Sequence, residues 1–254
     1  MERMRKPFQG VGNIIRFNWH FYLLSLLLVT GYLLFKSLLP PAVAKPAGWM
    51  CWVAIAMILL SLLTSWYVYD FSGLYQLQWL VIPEGEAHKT ILNIHAGFDE
   101  TSGLIRARFP DHALFVFDFY DPKKHTELSV RRARKAYGPY PGTLPVSTSR
   151  LPLPDRSMGT VLVILSAHEI RDRAERTAFF VELSRVLKPG GQIIVVEHLR
   201  NPANFLAYNI GFFHFYSRHS WAGIFELAGL KLTREGSITP LIRIFTLSNY
   251  GMAS

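Results

Sequence analysis

Two stretches of this chain, residues 19–35 and 48–69, contain no Asp, Glu, Lys or Arg. About 20 apolar residues cross a hydrocarbon core, so the second stretch is long enough outright. The first becomes long enough once Lys36 snorkels and Leu38 and Leu39 are counted. Pro40, Pro41 and Pro46 lie between them, where a helix has to stop and turn. The pattern predicts a two-helix transmembrane hairpin over residues 19–69. A cleaved signal peptide is the competing reading of the first stretch. It shares the basic start, but no small-residue cleavage site follows before the second apolar run.

Arg3, Arg5, Lys6 and Arg16 precede the first span, whereas the connecting loop offers only Lys36 and Lys45. The positive-inside rule then puts the basic segment 1–18 and both termini in the cytoplasm, as an integral membrane protein with two spans. The single cysteine, Cys51, falls inside the second span, which leaves no internal disulfide and no cysteine-based metal site; no metal is expected. The net charge of +9 includes Arg131, Arg132, Arg134 and Lys135 on one predicted helix. Near a membrane anchor such a cluster suits anionic lipid headgroups. No nucleic-acid-binding motif accompanies it, so membrane lipid rather than nucleic acid is the expected partner.

Residues 70–82 are aromatic and weakly amphipathic, and within the linker 70–85 they either lie along the interface or cover the edge of the next domain. Pro83, Glu84 and Gly85 punctuate the start of that domain, residues 86–254. Within it, strands at 91–94, 113–117, 161–165 and 192–197 alternate with helices at 101–109, 123–136 and 172–187. Residues 137–145 read as a Pro/Gly-rich loop, and a helix at 220–228 and strands at 231–235 and 241–247 close the chain. Alternation of this kind predicts an α/β fold: a Rossmann-like, open, mostly parallel sheet with helices on both faces, preceded by the transmembrane hairpin. A ligand would sit beyond the carboxyl ends of the strands, near residues 93–99, 118–121, 166–169 and 197–200.

The run Glu182-Leu-Ser-Arg-Val-Leu-Lys-Pro-Gly-Gly191, followed by Ile193-Ile-Val-Val-Glu197, is the most specific motif; Leu151-Pro-Leu-Pro-Asp155 with Ser166-Ala-His168 comes next. Together these resemble the class I S-adenosylmethionine-dependent methyltransferases, of the type that includes the ubiquinone/menaquinone methylases. The resemblance covers about residues 91–247 and leaves the hairpin outside. It implies S-adenosylmethionine as cofactor, with Asn93, His95, Gly97 and Asp99 facing its methionine end and Asp118 accepting from the ribose hydroxyls. Ser147 stands where the family commonly has an acid near the adenine amine. Ser166 and Ala167 would line the cofactor, and His168 would face the substrate.

The family has glycine at positions 95 and 99, where this chain has His95 and Asp99. Glycine serves such a turn through positive φ or close backbone approach. His and Asp tolerate left-handed φ better than most residues, so the two either touch the cofactor or replace the glycines structurally. Asp118 is otherwise a strand-end turn residue. His168 is either a base for the reaction or a cap of the following helix. His198 is on the substrate side or packs at the surface. Residues 204–219 are dense in aromatics, with Tyr208, His214 and Tyr216 as polar handles. That segment is either a lid that admits a lipophilic substrate or part of the core or a dimer face. The reading is a membrane-anchored methyltransferase acting on a hydrophobic small molecule (quinone, polyprenyl or lipid-like) at the cytoplasmic face. The rival is a catalytically inactive methyltransferase-fold protein serving as a membrane-tethered binding or assembly factor. A Rossmann dehydrogenase would want Gly-x-Gly-x-x-Gly, of which only Gly97 survives.

Overall fold

The structure, a computed structural model, describes residues 5–125 and 127–250. Seven strands form one sheet in the order β3-β2-β1-β4-β5-β7-β6. They are β1 (Thr90–His95), β2 (Ala113–Asp118), β3 (Leu144–Pro145), β4 (Met158–Ile164), β5 (Leu187–His198), β6 (Leu230–Thr239) and β7 (Ile242–Asn249). The pairs from β3 to β5 are parallel, and β7 runs antiparallel to both β5 and β6. Every residue of β4 is buried, as expected for a central parallel strand covered on both faces. β1 pairs with β2 on one side and β4 on the other, so the strand order reverses there and opens a crevice at the carboxyl ends.

Alternate side chains along each strand feed two cores. Leu92, Ile94, Val161, Val163, Ile193 and Val195 pack with Phe179, Phe180 and Leu183 of α6 (Arg173–Val186) and with Trp221 and Phe225 of α8 (Arg218–Leu227). On the other face, Ile91, Leu162, Ile164, Ile194 and Val196 pack with Ile105 of α4 (Ser102–Arg108) and with Val68, Leu74, Leu77 and Leu80. The aromatic segment after the hairpin therefore covers the sheet; it belongs to the second core.

Four local expectations need correction. The helix predicted over 123–136 is shortened to α5 (Leu128–Ala136). Ahead of it the Asp121 carboxylate accepts from the Lys123 amide, and His125 Nδ1 accepts from the Asp121 amide; these side-chain turns compete with helix. Within the predicted loop, Leu144 and Pro145 pair with Phe117 and Asp118 as a sheet edge. The last two strands run longer than predicted, and Gly236 sits inside β6. Pro46 lies within α3 (Pro41–Trp66), which starts with Pro41 in its first turn, where a missing N–H costs nothing.

α2 (Trp19–Phe35) has no buried residue, and α3 buries only Ser65. The spans that contain them, Trp19–Leu38 and Pro41–Gln76, are long and apolar enough to cross a membrane, with mean hydropathies of 1.7 and 2.0. Helices apolar all round and uncovered by protein suit a hydrocarbon surround. Before them, α1 (Gln9–Phe17) turns back over the crevice.

Candidate functional site

A cavity of about 250 Å³ lies at the carboxyl ends of β1 and β4. His95 and Ala96 wall one side, Leu165, Ser166, His168 and Glu169 another, and Asn13, Ile14 and Phe17 of α1 roof it. A second space of about 50 Å³ continues toward the end of β2, bounded by Gly97, Asp99, Asp118 and Arg134. His95 and Phe98 border both.

The turn after β1 explains the lost glycines. Around it only Gly97 has positive φ, at +92°, and a Cβ added there would meet the Arg134 guanidinium at 2.6 Å. Neither position 95 nor position 99 needs a left-handed backbone. His95 Nδ1 accepts from the Gly97 amide at 3.1 Å, which leaves Nε2 as its protonated nitrogen in the neutral ring. Burial pushes its pKa below the usual value against the pull of Asp99 and Asp118, so the ring stays neutral. Asp99 Oδ1 accepts from the amides of Thr101 (2.8 Å) and Ser102 (3.0 Å), closing the start of α4. Its other oxygen and His95 Nε2 stand 4.0 Å apart, buried and without hydrogen-bond partners. Asp99 is thus a structural replacement with one oxygen to spare. Asn93 ties β1 to the start of α4: its Nδ2 donates to the hydroxyls of Thr101 and Ser102 at 3.0 and 2.8 Å.

At the end of β2, Asp118 Oδ1 accepts from the Tyr120 amide at 2.9 Å. Its other oxygen pairs with Arg134, whose guanidinium also lies over the Tyr120 ring and donates to the Gly97 carbonyl. The acid assigned to the ribose is therefore held by an internal cation. Ser147 lies outside both spaces, its hydroxyl 2.9 Å from that of Ser149. Ser166 donates to the Ile94 carbonyl at 3.2 Å on the cavity wall, and Ala167 is fully buried in the core.

Beyond β4, Leu165 takes φ +49°, and the chain turns so that His168 meets the end of β5. His168 Nδ1 lies 2.7 Å from Glu197 Oε2, and its backbone amide donates to Glu197 Oε1 at 3.2 Å. Its Nε2 lies 3.4 Å from Glu169 Oε1, and His214 Nε2 lies 3.3 Å from the same oxygen. His214 Nδ1 is 2.6 Å from Glu127 Oε1. Burial opposes protonation of His168, but Glu197 and Glu169 more than offset this and raise it to about 10. An imidazole so held keeps its proton near neutral pH, which argues against a simple base.

Of the other substrate-side residues, His198 is buried rather than at the surface. It stacks on Phe215 with centroids 4.9 Å apart, and its Nε2 lies 2.9 Å from the Tyr69 hydroxyl. Burial, and then the positive His168, push its pKa down to about 4. Tyr208 packs edge-on against His198 with centroids 5.2 Å apart. Tyr216 is turned away, under the Arg176 guanidinium and against Trp221. The aromatic segment is thus largely core: α7 (Pro202–Tyr208) buries Asn204 and Ala207, and Phe215 closes on His198.

Sequence reasoning missed the roof. Arg5, Gln9 and Asn13 all donate to Glu100 Oε1, at 2.6, 3.2 and 3.1 Å, and Tyr75 donates to Oε2 at 2.9 Å. Asp70 accepts from the Gly10 and Val11 amides and so caps α1. The only hint in the sequence was the apolar face of a nine-residue helix, Ile14 with Phe17.

The family described as a methyltransferase domain matches residues 123–195. No curated protein matches the chain. Among solved structures, mitomycin 7-O-methyltransferase is similar at 13% identity over 97% of this chain and 74% of its own, with a TM-score of 0.54. An O-methyltransferase family 2 protein from Planctomyces limnophilus, in complex with apigenin, is similar at 14% identity over 83% and 71%, with a TM-score of 0.53. A SAM-dependent methyltransferase from Aquifex aeolicus is similar at 18% identity over 64% and 84%, with a TM-score of 0.45. Residues 123–195 thus match a methyltransferase-domain family, and the chain has the fold of the class I S-adenosylmethionine-dependent methyltransferases.

Proposed function

We propose that this chain is a membrane-anchored methyltransferase that methylates a hydrophobic small molecule, of quinone, polyprenyl or lipid type, at the cytoplasmic face. The observation that carries the reading is the pair of spaces, sharing His95 and Phe98, that border the Gly97 turn and the His168 cluster, the larger of them under a helix that leads directly into the apolar hairpin.

The residues fit the cofactor at one end and need one movement at the other. Gly97 provides the close backbone approach, while the spare oxygen of Asp99 and Nε2 of His95 remain for a polar ligand. Asp118 becomes available to ribose hydroxyls once the part-exposed Arg134 swings out. When bound, S-adenosylmethionine supplies an electrophilic methyl group. The chain supplies orientation and exclusion of water, by holding the acceptor between Phe17, Phe215 and the His168 cluster. His168, fixed by Glu197, donates toward an acceptor oxygen and favours its ionised form. Asn18 passes straight into α2, so a lipophilic acceptor has a short path from the bilayer to the cavity.

The non-enzymatic reading draws on one observation, the Arg134–Asp118 pair across the ribose position. Calorimetry on the detergent-solubilised full chain separates the two. Binding of S-adenosylmethionine and its demethylated product supports the enzyme. Binding of neither, in a folded sample, supports the inactive scaffold. Lipid extracts of cells with and without the protein, compared for mass differences of one methyl group, identify the acceptor.

A further inference from the structure

At the acceptor end of the cavity, the two imidazole Nε2 atoms of His168 and His214 converge on one carboxylate oxygen, Glu169 Oε1, at 3.4 and 3.3 Å. All three ligand atoms lie within 4.8 Å of one another. Metal–ligand bonds of about 2.1 Å in tetrahedral array put ligand atoms about 3.4 Å apart. The two separations to Glu169 Oε1 are those of such an edge.

The far side of each ring makes the case specific. His168 Nδ1 is held by Glu197 at 2.7 Å and His214 Nδ1 by Glu127 at 2.6 Å. A carboxylate on the distal nitrogen is what orients a metal-bound histidine and raises its basicity. Here the arrangement occurs twice, on rings that point their other nitrogens at the same spot. Charge agrees. The carboxylates of Glu127, Glu169 and Glu197 face Arg171, which contacts Glu127 at 3.5 Å and whose Nη2 lies against both ring nitrogens of His214, so the guanidinium has to swing aside for an ion to reach Nε2. A ligating imidazole is neutral, so a divalent ion would displace the proton that His168 otherwise carries, and three carboxylates against the one arginine then match its charge.

We propose that His168, Glu169 and His214 bind a divalent metal cation of the zinc type. Three protein ligands leave a further coordination position, and His168 and Glu169 line the cofactor cavity, so that position opens toward the acceptor. A cation there would bind an acceptor hydroxyl and lower its pKa, the same service sought from the His168 proton but with a full second charge. This catalytic part rests on the functional reading above; the binding of the ion does not.

The test uses tag-free, full-length protein in detergent, stripped with chelator and checked for fold by circular dichroism. Zn2+ is titrated by calorimetry and Co2+ by visible absorption, with neither methyl donor nor acceptor present. One bound equivalent of each ion is expected, with the ligand-field bands of four- or five-coordinate cobalt. H214Q and E169Q should each weaken binding at least tenfold. E197Q leaves every ligand in place and should weaken it by about 10–100-fold. Should one of these variants fail to fold, E127Q removes the half-exposed second carboxylate and should weaken binding in the same direction. Lack of stoichiometric uptake by the folded wild-type chain overturns the proposal, and so does uptake unchanged in the folded variants. A chain that takes up the ion yet transfers no methyl group refutes the functional reading alone.

Discussion

Arg134 decides whether Asp118, the acid expected at the ribose, is available. Its ion pair with Asp118 has to open before that carboxylate can accept from hydroxyls, yet the arginine side chain is 38% exposed. A pair this accessible is worth about 0.2–1 kcal/mol after solvent screening. Arg134→Ala is therefore expected to tighten S-adenosylmethionine binding by up to about fivefold, while Asp118→Ala should weaken it at least tenfold; calorimetry on the two variants checks both. A weaker, rather than tighter, R134A complex would show the guanidinium to be a cofactor contact instead of a gate. His198 sets a pH dependence of stability. Its folded pKa of about 4 lies below the ordinary 6.5, so between those values the unfolded chain binds more protons and stability falls as pH falls. His198→Gln should flatten that slope by up to about 1.4 kcal/mol per pH unit, read from denaturant unfolding at several pH values. At this scale the sequence was informative about position and less so about role. His95, Gly97 and Asp118 border the cavities as the motif order implied. That Asp99 spends one oxygen on two amides of α4 depends on a three-residue geometry that no spacing reveals.

The element that most alters the picture is α1. As a sequence it is a short basic stretch before an apolar run; in the fold it is a roof fastened at both ends of its interface. Asp70 caps its start, and Glu100 collects three donors from α1 and the residues before it. Arg5 and Glu100 side chains are only 14% and 12% exposed, so removing one partner strands the other in a poorly solvated place. Breaking such a pair costs about 3–5 kcal/mol, whereas losing a cap costs about 0.5–2 kcal/mol. Hydrogen exchange across residues 9–17 should therefore rise in both Glu100→Ala and Asp70→Ala, more in the first. Cofactor dissociation should speed up in the same order. Equal protection in all three proteins would mean that the roof is held by its apolar face, Ile14 and Phe17, alone. The strands and long helices could be read from their periodicity because each buries a repeating pattern. α1 could not, because its partners lie some sixty to ninety residues away in sequence.

Taken as a whole, the molecule does not divide where its composition changes. Composition places a linker at 70–85, but Val68, Leu74, Leu77 and Leu80 are each no more than 1% exposed and fill the sheet face made by Ile91, Leu162, Ile194 and Val196. A fully buried aliphatic side chain contributes about 1.5–3 kcal/mol, so the four together represent about 6–12 kcal/mol. That is the size of the entire net stability of an ordinary domain, about 5–15 kcal/mol. A chain shortened to begin at residue 86 keeps every methyltransferase motif, yet it should be insoluble or bind hydrophobic dyes strongly. One beginning at residue 67 retains the cover and should unfold cooperatively, though without α1 its cavity is roofless. Circular dichroism melts and dye binding on the two fragments decide the matter: if the shorter one melts as cooperatively as the longer, the segment after the hairpin is a tether. If it does not, the segment that continues α3 and the sheet share a core, and whatever tilts α3 reaches β1 and β4 directly.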